Sequence, residues 1–503
     1  MAYTANVIAA GHLGNLTAEQ EAQLRRFWKT LFMLYSMLDE AEPIPSDASP
    51  IKTEPAAQST GWFGRKSALA PPPPKSAQEV LDALNVLTQD EREQKRLREP
   101  LQQYLAMQTP GALNDFAQGL SSQPPQAIQQ LRDALAEQSR ESIREFQTIL
   151  SGHTAPSLRA MVAGVIKHEH PDALVLRFLR ARKWDTNKAL VMMLKALVWR
   201  STYAHVNDDV MLRGEAGAAD DEKNGDKAAR TLGGDFLKQM RLGKSFFHGV
   251  DRQDRPITLI RARLHRAADQ CVESMERYTT YMCETGRFAM NAPCETICLV
   301  FDLTGFTMAN MDYTPIKFMI MCFEANYPES LGVVLIHNAP WVFKACWKII
   351  HGWLDPVIAS KVHFTYTRQD LEVFIAPDKL VKELGGDEDW EFKYEEPIPG
   401  ENAAMADTDT RDRLLGEAKD LAARFEAVTR EWLARADGPF DGEDTRARRE
   451  GVAGEMQEHY WKLDKYVRAR SLYDRQGIIR GGAPVQWYGD QQKRGFSTED
   501  GPA

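Results

Sequence analysis

Residues 296–336 read TICLVFDLTGFTMANMDYTPIKFMIMCFEANYPESLGVVLI. The two ends of this stretch, Thr296 to Phe301 and Val333 to Ile336, are short runs of almost unbroken apolar residues, and Tyr313 to Ala325 between them predicts a helix. A strand that is apolar at consecutive positions is buried on both faces, the condition of a parallel sheet covered on each side. The same alternation extends outward. Ile257 to Ile260 predicts a preceding strand and Asp269 to Met290 a helix; Trp341 to Trp353 predicts a following helix and Lys361 to Thr365 a short strand. Gly385-Gly386 and Pro397 to Gly400 close the unit. The fold class is therefore α/β, a largely parallel sheet flanked by helices.

Upstream, Leu174, Phe178 and Leu179 follow Pro171, which can start a helix, and Leu190, Met193, Leu194, Leu197 and Val198 follow Asp185, which can cap one. These predict a helical subdomain over 157–212 ahead of a main domain over 231–400, separated by a Gly-, Ala- and Asp-rich segment, 213–230, that predicts a disordered insertion. At the start, residues 1–41, Thr17 and Gln20 form a capping box before an amphipathic helix carrying Leu24, Phe27, Trp28, Leu31 and Tyr35. Residues 42–75, rich in Pro, Ser and Ala, read as a linker, and 76–156 as polar helices. Within 405–474, Leu414, Phe425, Val428 and Trp432 predict one arm of a helical hairpin, and Met456, Tyr460, Leu463 and Val467 the other. Residues 475–503 read as a mobile tail.

The 503 residues carry 62 Lys and Arg against 71 Asp and Glu, a net charge of −9 that argues against a nucleic-acid partner. No apolar run reaches the roughly 18 residues of a membrane span, and the first residues lack a basic segment followed by an apolar core. All six cysteines, Cys271 to Cys346, fall in the most apolar window without CxxC spacing, which predicts buried thiols in a reducing compartment. A P-loop, a GxSxG elbow, an HExxH helix and a GxGxxG turn are all missing. His337, at the end of an apolar strand, reads as a hydrogen-bonded core group, and His168 and His170 as surface residues. Without a nucleophile, metal site or cofactor loop, the chain reads as a binder and not an enzyme.

Three features stand out: Arg177 to Trp184 (RFLRARKW), with four cations at one helix end; Asn326-Tyr327-Pro328-Glu329 before a buried strand; and Trp341 to Leu354, an apolar helix whose cations Lys344, Lys348 and His351 share one face. Each has a plain structural explanation as well: a solvated helix terminus, a loop carboxylate, a core helix. In order with Gly249 to Pro256 (GVDRQDRP), Phe301 to Gly305, Asn338-Ala339-Pro340, Leu354-Asp355-Pro356 and Ser360-Lys361, they resemble the signature set of the CRAL-TRIO lipid-transfer family. The terminal segments Gly14 to Gln20, Lys462-Leu463-Asp464 and Arg468 to Ser471 are similar to its fungal branch of phosphatidylinositol transfer proteins, the chitin-synthase-mutant-rescue type.

The resemblance implies a lipid-binding domain with an apolar pocket, an N-terminal helical subdomain and added terminal helices. It implies one bound phospholipid, phosphatidylinositol, with no cofactor and no metal. Arg182, Glu329 and Lys361 are the implied headgroup residues; Ile297, Leu299, Phe318 and Cys322 the expected pocket lining. Trp341, Phe343, Lys344, Trp347, Lys348, His351 and Trp353 lie on the implied gate helix, which docks on anionic membranes. Relatives that also carry phosphatidylcholine have hydroxyl residues at the positions of Ile297 and Leu299, so that activity is not expected; Ser330 and Ile358 also replace an Arg and a Thr near the headgroup. The expected molecule is a cytoplasmic monomer that associates transiently with membranes such as endosome, Golgi, microsome or lipid droplet, and that supports phosphoinositide synthesis beside a phosphatidylinositol kinase. The alternatives are a carrier or sensor of another hydrophobic ligand (sterol, squalene, haem) and a scaffold with a vestigial pocket.

Overall fold

The structure, a computed structural model, describes residues 8–39, 149, 152–434 and 443–488. The linker over 42–75, most of the polar helical segment over 76–156 and the last part of the tail lie outside the described residues. The chain divides into two compact units, residues 1–27 with 160–503, and residues 28–159.

Helix α1 (Ala18–Asp39) begins at the capping box, where Gln20 N donates to Thr17 Oγ1 and Thr17 N to Gln20 Oε1. Its first turns belong to the larger unit. Gln23 meets Thr186 at 2.7 Å, and Arg25 donates to the Trp432 carbonyl at 2.8 Å with its guanidinium over the Trp432 ring. In the smaller unit Trp28, Phe32 and Tyr35 pack as tilted rings along the rest of α1, and Arg159 pairs with Asp39 at 2.8 Å.

Three helices follow: α2 (Ala155–Ile166), α3 (Pro171–Ala181) and α4 (Thr186–Val198). Pro171 opens α3, where it has no N–H to lose, and the Asp185 carboxylate caps α4 through the N–H groups of Asn187 and Lys188. His168 and His170 are not surface groups. His168 stacks on Phe288 and is held at about 4 by burial, while His170 Nδ1 accepts the Asp172 N–H at the start of α3. Charged neighbours in sequence masked the apolar surroundings that the fold brings to them.

The expected disordered insertion is instead ordered as α5 (Met211–Asn224) and α6 (Lys227–Leu242). Its partners come from the far end of the chain. Glu215, fully buried, accepts from Tyr281, Tyr394 and Arg475, and Met211 O accepts the Ala469 N–H. Gly214, at φ +50°, places its Cα so close to Ala469 that a side chain there would meet it at 2.9 Å.

The sheet contains β1 (Ser245–Val250) and β2 (Pro256–Arg261), then β3 (Ile297–Asp302), β4 (Leu331–His337) and β5 (Val362–Thr365), in spatial order 1-2-3-4-5. The first pair is antiparallel and the rest are parallel. In the turn between β1 and β2, Asp251 accepts from the N–H of Gln253 and Arg255 and from the Arg255 side chain, and Asp254 takes φ +58°. The intervening helices are α7 (Val272–Phe288), α8 (Tyr313–Met321), α9 (Phe343–His351) and α10 (Pro356–Ala359). Because the strand order always advances the same way, right-handed crossovers put the connecting helices on one face. The other face packs Ile257, Leu259, Cys298, Val300, Val333 and Leu335 against the segment from Leu371, within α11 (Arg368–Glu372), to Phe392.

Helices α12 (Thr408–Ala434) and α13 (Glu443–Val467) pair antiparallel, with Arg449 donating to Thr429 Oγ1 and His459 to the Leu414 carbonyl. After α14 (Leu472–Arg475), the tail segment to Tyr488 is packed and not mobile. Ile479 and Trp487 enter the core beside Phe247 and Tyr473, since a few apolar side chains suffice when the body supplies a complementary surface.

Candidate functional site

Between the helix-covered face of the sheet and α7, α8 and α9 lies an apolar cavity with about 1580 Å³ of atom-free space, solvent at its mouth included. Alternation along β3 sends Ile297, Leu299 and Phe301 into it while Cys298 and Val300 point to the rear core. Val334 and Ile336 line it from β4, and Met319, Ile320 and Phe323 from α8 and the turn after it.

Phe318 and Cys322, expected in the lining, face elsewhere. They cluster with Tyr327, Trp199, Cys283 and Met321 against the helical subdomain. Positions four apart share a stripe, and the stripe at 319 and 323 faces the cavity while the one at 318 and 322 does not.

Helix α9 covers one side of the cavity. Phe343, Trp347 and Ile350 line it, whereas Lys344, Lys348 and His351 are exposed on the outer face. Trp341, just before α9, is 84% exposed. Trp353 packs edge-on against Tyr313 with Lys317 above its ring.

At the edge of the sheet where β4 and β5 begin, Lys361 Nζ lies 3.9 Å from Glu329 Oε2 and donates to the Leu331 carbonyl at 2.8 Å. Glu329 adopts φ +57°, an uncommon conformation for a residue with a side chain, which holds its carboxylate toward Lys361. Arg182 is not brought into contact with this pair. It is exposed, donates to the Ala181 carbonyl, and acts electrostatically on Glu324. Ser330 Oγ donates to the Tyr327 carbonyl and Ile358 lines the cavity, so neither presents a charge to the edge.

Beside this edge runs a buried ionic network that composition alone could not reveal. Glu284, fully buried, accepts from Lys167 and Arg200, each at 2.6 Å. Glu169 pairs with Arg287 at 2.9 Å and with Arg177 at 3.1 Å, and Arg180 pairs with Glu295 at 2.5 Å. Burial raises the Glu169 carboxyl, but Arg177 and Arg287 outweigh it and hold the group at about 2. Burial lowers Lys167 to about 8 against the attraction of Glu284. Two of the four cations of the RFLRARKW segment thus tie α3 into the main domain.

Residues 240–386 match the CRAL/TRIO domain and residues 127–195 the CRAL/TRIO N-terminal domain. The CRAL-TRIO domain-containing protein C3H8.02 of Schizosaccharomyces pombe is 43% identical over 62% of this chain and 66% of its own length. The phosphatidylinositol transfer protein CSR1 of Eremothecium gossypii is 40% identical over 63% of this chain and 70% of its own. The chain belongs to the CRAL/TRIO family. The crystal structure of Sfh5 aligns with 47% of this CRAL/TRIO chain and 84% of that one, at 16% identity and a TM-score of 0.32. The CRAL/TRIO fold accounts for the sheet, the cavity and the preceding helical subdomain together. Among the described residues, no helix is long and apolar enough to cross a membrane.

Proposed function

We propose that this CRAL/TRIO protein carries phosphatidylinositol between membranes and supplies it to phosphoinositide synthesis. The observation that carries the reading is the large apolar cavity beside α9, with the Lys361–Glu329 pair at the neighbouring strand edge. Two acyl chains of about 16 carbons would cost roughly 25 kcal/mol to expose to water at about 0.8 kcal/mol per CH₂, so a carrier must bury them almost completely. Once burial is matched on both sides, exchange is nearly isoenergetic and needs no catalytic group.

At the strand edge Lys361 would meet the lipid phosphate and Glu329 would accept from inositol hydroxyls. Arg182 would join them by swinging its exposed side chain across the edge. Ile297 and Leu299 offer no hydroxyl to a choline lipid's phosphate, which supports selectivity for the inositol lipid. Helix α9 would move to admit the chains, with Trp341 entering the interface and Lys344, Lys348 and His351 meeting anionic headgroups. Such a protein works in the cytoplasm with transient membrane contact, and a phosphatidylinositol kinase is its natural recipient. The similarity to a protein named as a phosphatidylinositol transfer protein supports the same reading.

The test is mass spectrometry of the lipid that co-purifies with the full chain. Phosphatidylinositol as the main phospholipid at near one per chain is the expected result. A chain carrying chiefly phosphatidylcholine, or no phospholipid at all, would overturn the reading.

A further inference from the structure

Large apolar side chains lie exposed on both flanks of α9. Cys346 and Trp347 are consecutive residues of this helix, so they sit about 100° apart around its axis. Cys346 Sγ lies 3.8 Å from Met308 Sδ, and the Trp347 ring meets the Phe364 ring edge-on at 5.2 Å. Met308 and Phe364 therefore stand on opposite sides of α9, 51% and 38% exposed. Ile349 on the helix and Trp341 ahead of it are exposed as well, and the outward-facing Lys344 and Lys348 lie between the two flanks.

Both flanks are held by bonds that do not involve α9. Met308 opens the turn Met308–Asn310 after β3, and the Asn310 side chain pins that turn by accepting from Thr307 and donating to the Arg263 and His265 carbonyls. Phe364 stands opposite Ile336 in the β4–β5 ladder, and β5 is an edge strand of the sheet. Ile336 faces the cavity, so its ladder partner Phe364 projects from that same face of the sheet.

The composition of this surface says what it meets. Exposed apolar side chains gathered around one element mark a contact surface. Residues 341–366 hold three lysines and a single aspartate in a chain of net charge −9, so positive charge is gathered where the apolar groups are exposed. Lysines set among tryptophan, phenylalanine and methionine suit the boundary of an anionic bilayer, where indole rings are favoured and headgroups attract the cations.

We propose that Met308 and Phe364 form a fixed docking rim for anionic bilayers, and that the chain docks on it with α9 still closed. The inference deepens the reading of α9 as the cover of a lipid cavity and does not depend on phosphatidylinositol as the cargo. Flotation of the full chain with vesicles of phosphatidylcholine and phosphatidylserine measures docking. The double substitution Met308→Ser and Phe364→Ser should lower vesicle binding by at least about tenfold with an unchanged melt, and the loss should persist at high salt because apolar contact is not screened. Binding equal to that of the unaltered chain would overturn the rim. So would loss, in that variant, of a dimer seen by sedimentation velocity while vesicle binding stays the same, which would assign the patch to a second copy of the chain. The order of events is read from Met308→Cys, whose thiol stands beside Cys346 and can be oxidised to a disulfide that ties α9 to the turn after β3. Phe364 and the lysines remain in that variant, so its oxidised form should bind vesicles as tightly as its own reduced form, while lipid transfer stops and returns on reduction. Loss of vesicle binding on oxidation would overturn docking ahead of opening. Transfer that survives the disulfide would refute α9 as the cover, a failure separate from that of the rim. Docking through the rim by a chain that transfers no phosphatidylinositol would refute the earlier reading and keep this one.

Discussion

Replacing Lys361 by Ala separates the headgroup reading from a purely structural role. Lys361 and Glu329 lie 3.9 Å apart with side chains 22% and 26% exposed, so their mutual attraction contributes no more than about 1 kcal/mol to stability. The lysine's hydrogen bond to the Leu331 carbonyl adds about 1 kcal/mol more. A total loss near 2 kcal/mol lowers the melting temperature by about 4–8 °C in a domain of this size and leaves the chain folded at 25 °C. Binding is affected differently. A charge-assisted hydrogen bond to a lipid phosphate is worth roughly 1.5–3 kcal/mol, which is about a 10- to 150-fold loss of affinity. Transfer of fluorescent phosphatidylinositol between vesicles, titrated against protein and accompanied by thermal melting, measures both quantities. Transfer within twofold of the unaltered chain, at an intact melt, would refute the assignment of Lys361 to the headgroup.

Phosphatidylcholine transfer should fall well below phosphatidylinositol transfer in the same vesicle assay, because an unsatisfied buried phosphate beside Ile297 and Leu299 costs at least about 1–3 kcal/mol. The double substitution of Lys344 and Lys348 to Glu should slow transfer from anionic vesicles more than from neutral ones, with an unchanged melt, since both side chains are exposed; an equal effect on both vesicle types would remove the electrostatic docking. Glu284→Gln should destabilise the chain by about 3–5 kcal/mol in urea titrations by leaving Lys167 and Arg200 without their counter-charge, and adding Lys167→Met should recover part of that loss. Glu169 is held at about 2 in the folded chain, below its unfolded value near 4.3. Its contribution is therefore complete above pH 4.3 and disappears as pH falls toward 2, which urea midpoints between pH 6 and pH 2.5 would register as a falling limb.

The strands of the sheet were readable because Thr296 to Phe301 and Val333 to Ile336 are buried by both faces at once, and two-sided burial leaves a local mark in the sequence. The order of α5 and α6 left none. Glu215 is stabilised by Tyr281, Tyr394 and Arg475, residues 66 to 260 positions away, so composition alone suggested disorder. The packed tail failed to show for the same reason, as Trp487 finds its partners near Phe247 and Tyr473. On α8 the difficulty is different. A helix apolar on nearly every side does not declare which stripe meets the cavity, and Phe318 and Cys322 sit on the other one. At the strand edge, Glu329 and Lys361, which the family resemblance names as headgroup residues, lie 3.9 Å apart, but the cations of the RFLRARKW segment are divided. Arg177 and Arg180 serve the buried network while Arg182 stays outside.

The rear face of the sheet is covered by a segment of its own, separate from the helices in front. The segment from Leu371 to Phe392 clamps the strands from behind, so the β3–β4 ladder does not depend on α9 for its cover on that side. The backbone amides of Cys298 to Phe301 and Val333 to Ile336 should then exchange with solvent deuterium only through global unfolding, while those of α9 exchange through a local opening of far lower free energy. On the proposed reading of α9 as the movable cover, that cover should open many times for each time that the sheet unfolds.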